Sequence, residues 1–120
     1  TYDSAGRIKT ESGPRPENFT EHFYDPTTGH RTATRRHING PSSSYLETSF
    51  SNFDARGDPQ TVTDPNLQTT QFTYDTLQRV KTVTPPFSGG SSTIAFAYDI
   101  DGNLTRVDFP PDSFAQPYFL

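Results

Sequence analysis

A strand, a tight turn and a return strand are encoded in one short stretch of this chain, and that pattern recurs throughout it. Ile94, Phe96 and Tyr98 alternate with smaller residues, which is the period of a strand with one buried face. Residues 99–102 begin with Asp and end with Gly, as type I turns do, because the carboxylate accepts from amides inside the turn and glycine takes the positive φ at its exit. The stretch therefore predicts a β-hairpin. Its return strand is predicted over 103–109, with one face formed by Thr105, Val107 and Phe109.

An aromatic residue followed by Asp opens five such turns along the chain. Successive aromatic–Asp pairs are 22, 29, 21 and 24 residues apart, which is one hairpin plus a connection of variable length. The pattern predicts an all-β chain of tandem antiparallel β-hairpins, in which the motif aromatics stack as a ladder and the Asp and Gly residues set each turn. The motif residues are Tyr2, Asp3, Gly6, Arg7, Tyr24, Asp25, Gly29, Phe53, Asp54, Gly57, Tyr74, Asp75, Arg79, Tyr98, Asp99 and Gly102.

The order Tyr-Asp, two variable residues, Gly-Arg, an apolar residue and Thr resembles the YD repeat of the RHS family, and the resemblance covers almost the whole chain. That family includes bacterial RHS and Tc-toxin components, wall-associated proteins and animal teneurins. The resemblance implies a curved or spiralling extended sheet, which in the family closes as a hollow shell, often around a toxic C-terminal domain. It also implies a secreted or cell-surface location.

We expect one array of about five repeats, with approximate bounds of 1–18, 19–44, 45–66, 67–90 and 91–120. The first unit lacks its leading strand, which predicts an open edge and a chain that is part of a longer one or of a polymer. The apolar end, Tyr118, Phe119 and Leu120, is predicted to contact a neighbour or to continue into further chain.

The composition favours a thin folded sheet over disorder. Only 29% of the residues are hydrophobic and the mean hydropathy is −0.79, so little material is available for a core. Against disorder, the chain contains 10 Phe and 6 Tyr at regular positions and its net charge is only −4. A single sheet in which each hairpin is supported by its neighbours reconciles these observations.

Several partners and cofactors are disfavoured by the same composition. The acidic balance, with only two Lys, argues against nucleic-acid binding, which needs a cationic surface. The absence of Cys excludes disulfides and thiolate metal sites. No long apolar run is present, so we expect no membrane span in this stretch. No cofactor is predicted.

Two positions depart from the regular pattern. Gln78 stands where the other turns have Gly, which predicts either a different turn geometry or a left-handed Gln with some strain. Phe50 and Phe53 are three residues apart and cannot share one strand face unless a bulge or turn lies between them.

No arrangement typical of catalysis or metal binding stands out. The five motif Asp residues occupy positions that turn chemistry alone explains, and a glycosidase would need two carboxylates across a cleft. The segment 99–103 resembles the start of a calcium loop, but its twelfth position is Pro110. His22, His30 and His37 have no metal-site spacing and are interpreted as surface residues. The Asp-Pro-x-Gly motifs of self-cleaving RHS proteins are not matched.

The leading hypothesis is a non-enzymatic structural protein, a section of YD-repeat sheet that forms the wall of an extracellular or cell-surface shell or fibre. Its partners would be further repeats in the same chain or identical subunits joined end to end. The alternative is a carbohydrate- or partner-binding surface module of an RHS-type toxin or adhesin. Carbohydrate and an encapsulated toxin domain are further candidate partners. An enzymatic function is disfavoured, since no nucleophile–base pair, phosphate loop or metal cluster is recognisable.

Overall fold

The computed structural model describes residues 1–41, 44–86 and 92–110, which form one open antiparallel sheet of nine strands and, within these ranges, no helix. Each strand pairs with its neighbours in sequence, so the strand order in the sheet is the order in the chain. The prediction of an all-β fold of tandem antiparallel hairpins is confirmed. The strands are β1 (Thr10–Ser12), β2 (Phe19–Tyr24), β3 (Arg31–His37), β4 (Tyr45–Phe53), β5 (Pro59–Thr63), β6 (Thr69–Tyr74), β7 (Val80–Thr84), β8 (Ile94–Tyr98) and β9 (Leu104–Asp108).

The five motif turns lie at the same end of the strands, because alternate connections of an antiparallel meander share one end. We call this set of turns, at residues 3–6, 25–29, 54–57, 75–78 and 99–102, the turn row. The first turn joins a short leading segment to β1 through a bridge between Tyr2 and Ile8. The longer connections lie at the opposite end, between β1 and β2, β3 and β4, and β7 and β8.

Three of the hairpins carry a register shift directly before the motif tyrosine. Between β6 and β7, for example, Thr73 faces Thr82 while Tyr74 faces Val80, so that Lys81 is the extra residue. Such a bulge increases the local twist and re-aims the side chains beside it. The bulge thus belongs to the repeat and sets where each motif tyrosine points.

The two faces of the sheet differ in chemistry from β4 onward. Cross-strand pairs such as Phe72–Val83 and Phe96–Val107 make one face apolar. The other face carries hydroxyl pairs, among them Thr63–Thr69 at 3.0 Å and Thr73–Thr82 at 2.6 Å between Oγ1 atoms. This alternation is the ordinary two-residue period of an antiparallel strand.

Within the described residues no second layer covers the sheet, and no apolar side chain there is fully enclosed. The two most enclosed side chains there are His22, 9% exposed, and His37, 5% exposed. Most strand residues are half-buried by their cross-strand neighbours. Stability therefore depends on contacts between adjacent hairpins, as in other repeat proteins.

The fold corrects one sequence-based detail and gives the geometry of another. β9 ends at Asp108, so Phe109 is not part of the return strand; it is 47% exposed. The irregularity expected between Phe50 and Phe53 is a left-handed residue, Asn52 at φ 51°, and both rings line one cavity. The left-handed residue interrupts the regular strand conformation between the two Phe residues.

Candidate functional site: the joints between repeats

Each turn of the turn row is closed by the same backbone bonds. The carbonyl of the motif Asp accepts from the amide of the last turn residue at 2.9 to 3.1 Å, whether that residue is Gly or Gln78. Asp75 shows the side-chain part: its Oδ1 accepts from the amides of Leu77 at 2.9 Å and Arg79 at 3.0 Å. The carboxylate therefore satisfies amides that would otherwise point into solvent or into the turn.

These bonds stabilise the ionised carboxylate and lower its pKa. The pKa values of five aspartates fall below 3.8, and the largest cause is a backbone amide that donates to the carboxylate. In the first and fourth turns an arginine adds to the effect: Arg7 Nε lies 2.7 Å from Asp3, and Arg79 Nε lies 2.7 Å from Asp75. The five aspartates are Asp3, Asp25, Asp54, Asp75 and Asp99.

We call the residue directly after each turn the clasp residue, and in the first four turns it contacts the next repeat. Arg7 lies over the ring of Tyr24 with 4.5 Å between its Cζ and the ring centroid, and Arg79 lies over Tyr98 at 4.3 Å. His30 packs against Phe53 with 4.6 Å between ring centroids. A cation or imidazole over an aromatic face is an attractive contact, so each clasp residue stabilises the joint between two repeats.

The same clasp residues cover the turn glycine of the next repeat. A Cβ placed on Gly57 would lie 2.8 Å from His30 Nε2, and one on Gly29 would lie 3.1 Å from Arg7 Nη1. Gly6, which receives no clasp residue from the described part of the chain, has no atom within 4 Å of that position. Glycine is therefore required in two of these turns by close packing as well as by positive φ.

Hydrogen bonds from three of the motif tyrosines complete their joints. The hydroxyl groups of Tyr24, Tyr74 and Tyr98 donate to backbone carbonyls two positions beyond the turn of the preceding repeat, at 2.7 to 2.8 Å. The acceptors are Ile8, Pro59 and Val80. Phe53 has no hydroxyl, so its joint relies on the His30 ring alone for this contact.

One joint is built differently. The clasp residue of the third repeat is Asp58, which is too short to reach the ring of Tyr74 as an arginine would. Instead Gln78, which replaces the turn glycine, donates from Nε2 to Asp58 Oδ2 at 3.1 Å. Gln78 keeps the left-handed conformation at φ 61°, which confirms the second of the two geometries expected for it. Because the short Asp58 stands where other joints have a long or aromatic clasp residue, the space above the turn is left for the Gln78 side chain, which explains why position 78 is not glycine.

The expected ladder of stacked motif aromatics is not what the structure shows. Among the described residues, ring contacts join Phe19 to His37, His37 to Tyr45 and His30 to Phe53, but no two motif aromatics to each other. Neighbouring motif rings are connected instead through clasp residues and hydroxyl bonds. Because the bulges re-aim the tyrosines, their spacing in sequence did not reveal this arrangement.

The interpretation of the histidines as surface residues is wrong for two of them. His22 Nε2 lies 2.6 Å from Glu11 Oε2, and His37 stacks on Phe19 with 4.3 Å between centroids. The two pack on opposite faces of the sheet, because their positions in β2 and β3 have opposite parity in the cross-strand register. Within the described residues no three His or acidic side chains converge on one point.

Residues 64–67 form a sixth turn of the same kind. The sequence Asp64-Pro65-Asn66 predicts a turn that closes the third hairpin, and the structure confirms a turn there. Asp64 Oδ1 accepts from the amides of Asn66 and Gln68, both at 2.9 Å, and Leu67 takes the left-handed φ of 62°. This turn lies at the end opposite the turn row. Because Thr63 precedes it in place of an aromatic residue, the aromatic–Asp pattern did not show that it shares the bonds of the motif turns.

A shallow groove of about 520 Å³ crosses the middle of the sheet. Its lining is rich in hydroxyl and amide groups and contains no charged side chain; it comprises Asn52, Phe53, Gln60, Thr61, Gln71, Phe72, Thr73, Thr82 and Thr84. Such a surface can hydrogen-bond a neutral polar ligand but offers no acid, base or nucleophile of the activated kind that catalysis needs.

Comparison with known families gives one match. Residues 53–88 match the family model of the RHS repeat, a segment that contains the third and fourth motif turns and the joint between Asp58 and Gln78. This segment is an RHS repeat, and the match supports membership of the RHS/YD-repeat family. A comparison with curated proteins found no match.

RHS repeats are structural repeat modules, and proteins that contain them are found outside the cell or at its surface. Their repetition implies further repeats in the chain. The described residues hold no helix long and apolar enough to cross a membrane.

Proposed function

We propose that this chain is a section of a non-enzymatic RHS-repeat wall, part of an extracellular or cell-surface shell or fibre. The observation that carries the proposal is the mode of cohesion: a one-layer sheet without an enclosed apolar core among its described residues, held by clasp residues and tyrosine hydroxyls that pass from each hairpin to the next. A sheet of this kind gains stability by adding repeats, since each new hairpin covers the exposed side of the last. We propose the five repeat bounds given above as its units.

The residues available for further joints favour packing against other repeats over end-to-end joining of identical chains. The ring of Tyr2 is 71% exposed and is the natural seat of a clasp residue from a preceding repeat. The last described clasp position is Asn103, which carries no cation and bonds within its own turn to Asp99 at 3.2 Å. A joint between Asn103 and the Tyr2 of a second copy would therefore lack the cation–ring contact.

Negative-stain microscopy of native material from its source tests the proposal. Hollow particles or fibres are expected. Dispersed compact globules, together with a monodisperse folded monomer of 13.4 kDa for the chain itself, would contradict it. If fibres of identical chains are found, the next variants are at Tyr2 and at Tyr118, Phe119 and Leu120; the last three lie outside the described residues, so their role as contacts remains a prediction.

The uncharged groove favours a second candidate function, binding of a neutral polyhydroxylated ligand such as a glycan. Hydroxyl and amide side chains both donate and accept, which suits sugar hydroxyl groups. Titration of the chain against a glycan panel tests it, with Gln71→Ala and Thr82→Ala as groove variants and the exposed Leu77→Ala as control. Binding that is lost only in the groove variants supports this function, and no binding by the unmodified chain rejects it.

A further inference from the structure

The four joints of the turn row divide into two chemical types. Three pair a long or aromatic clasp residue with a bare glycine: Arg7 with Gly29, His30 with Gly57, and Arg79 with Gly102. The remaining joint, the third along the chain, pairs the short acid Asp58 with the long amide Gln78. In every case the space above the turn of the later repeat is filled from these two positions: by the clasp residue where the turn ends in glycine, and by Gln78 with Asp58 in the remaining joint.

We propose that the clasp residue and the last turn residue of the next repeat form a matched pair that determines which repeat can pack on which. In this chain the Asp58–Gln78 pair is a second version of the joint that cannot be mixed with the first. The inference does not depend on the wall function, because it concerns the pairing of repeats within the chain itself.

Steric fit makes the two versions mutually exclusive. An arginine at position 58 would extend its guanidinium over position 78, as Arg79 does over Gly102, where a Cβ would lie 3.8 Å from the arginine Nη1. At Gly29 the equivalent separation is 3.1 Å, so a Cβ there would already require the Arg7 guanidinium to move, and a longer side chain would require a larger movement. The Gln78 side chain and a long clasp residue therefore compete for one volume.

The converse substitution, a short acid in place of a long clasp residue, is also unfavourable. An aspartate at position 79 could not extend to the Tyr98 ring and would leave Gly102 uncovered. In the actual third joint Arg56 donates to the carbonyl of Thr76, an additional bond where the cation contact is absent, and Tyr74 keeps the hydroxyl bond to Pro59 that the other tyrosine joints also have. Burial, together with Asp58 and Asp54, raises the pKa of Tyr74, consistent with an acidic surrounding where the other joints have a cation or imidazole.

Matched pairs of this kind would help an array of similar hairpins to fold in the correct order. Strands with the same turn and the same alternation can pair out of order, and mispairing of near-identical units is a common folding error of repeat proteins. A joint that accepts only its own partner raises the free energy of the wrong arrangements. The Asp58–Gln78 joint lies in the middle of the sheet, where it would mark the centre of the array.

A double-mutant cycle on the 120-residue chain tests the proposal. Asp58→Arg alone is expected to raise the unfolding equilibrium constant about tenfold or more, since the guanidinium meets Gln78. Gln78→Gly alone is expected to change it only about threefold in either direction, because relief of the left-handed strain offsets the lost bond. Combined, the two substitutions are expected to restore stability, with a coupling of about tenfold. Additive effects, with coupling near one, would overturn the proposal.

A reciprocal cycle covers the case in which Asp58→Arg does not fold. Arg79→Asp and Gly102→Gln convert the fourth joint to the type of the third. The increase in the unfolding equilibrium constant of the double variant is expected to be smaller than the product of the increases in the two single variants. The control is the turn at 64–67, where Leu67→Gly with Gln68→Arg should show no coupling, since no clasp crosses there. Equal coupling in the control, or none in the reciprocal cycle, refutes the matched pair.

Discussion

A motif aspartate holds its turn through several bonds at once. Its backbone carbonyl accepts from the last turn residue, and its carboxylate accepts from amides within the turn. Because these bonds require the ionised group, the pKa of the carboxylate is lowered and the stability of the turns becomes linked to pH.

Acid is therefore expected to destabilise the fold through these turns. A group whose pKa is lower in the folded chain stabilises the fold fully above its unfolded value of 3.8, and that contribution disappears as the pH falls through the folded pKa. The melting temperature should thus decline below about pH 5. Asp54→Asn, which accepts the same bonds but does not titrate, should show a shallower decline. Parallel profiles for the two proteins would contradict this linkage.

Turn glycines differ according to what lies above them. Gly57 has φ +91° and carries His30 against its Cα, whereas Gly6 has φ +79° and open space. Conformation alone costs an alanine about 1 kcal/mol at either site, and the collision adds to the cost only at Gly57.

Gly57→Ala should consequently lower the free energy of unfolding by about 2 kcal/mol, and Gly6→Ala by about 1 kcal/mol. Denaturant titration of both variants gives the two values. An equal loss at the two sites would show that the His30 contact does not restrict residue 57.

Neighbouring hairpins are joined by side-chain contacts at their turns as well as by the strand ladders between them. The tyrosine hydroxyl bond and the clasp residue both cross from one repeat to the next close to the turn row. An isolated hairpin cannot make either contact, which agrees with the marginal stability of two-stranded units in water.

Removal of one hydroxyl measures this connection. Tyr98→Phe should lower the free energy of unfolding by about 1 kcal/mol, because the carbonyl of Val80 loses its donor. Tyr2→Phe is the matched control: its ring is 71% exposed, so a change within about 0.5 kcal/mol is expected. A control effect as large as that of Tyr98→Phe would assign the loss to the phenol itself and not to the joint.

The whole sheet behaves as a one-dimensional array. Every strand contact in the described residues joins strands that are consecutive in the chain. Local free energies then depend on nearest neighbours, and a perturbation should weaken with distance along the array.

Hydrogen exchange followed by mass spectrometry tests this behaviour. Amides of β4 to β6 should be protected most, and protection should fall toward both edges of the sheet. Tyr98→Phe should increase exchange in β7 to β9 and leave β2 and β3 unchanged. A uniform increase over all strands would indicate one cooperative unit instead.

Local sequence was enough to predict the turns and the fold class. The spacing of Asp and Gly around each aromatic residue specifies a turn by its own backbone chemistry, and the two-residue alternation specifies strands on either side. Both depend on residues close together in the chain. At Asp64 the local residues also predicted a turn, although no aromatic residue precedes it, because the turn bonds themselves do not need one.

Only the tertiary structure decided how the repeats hold together. Bulges before Tyr24, Tyr74 and Tyr98 turn these rings toward the preceding repeat, and the clasp contacts join residues 17 to 23 positions apart in sequence. The burial of His22 and His37 likewise comes from cross-strand neighbours. The sequence alone determined each hairpin, since its bonds are local, while the register between hairpins determined the joints.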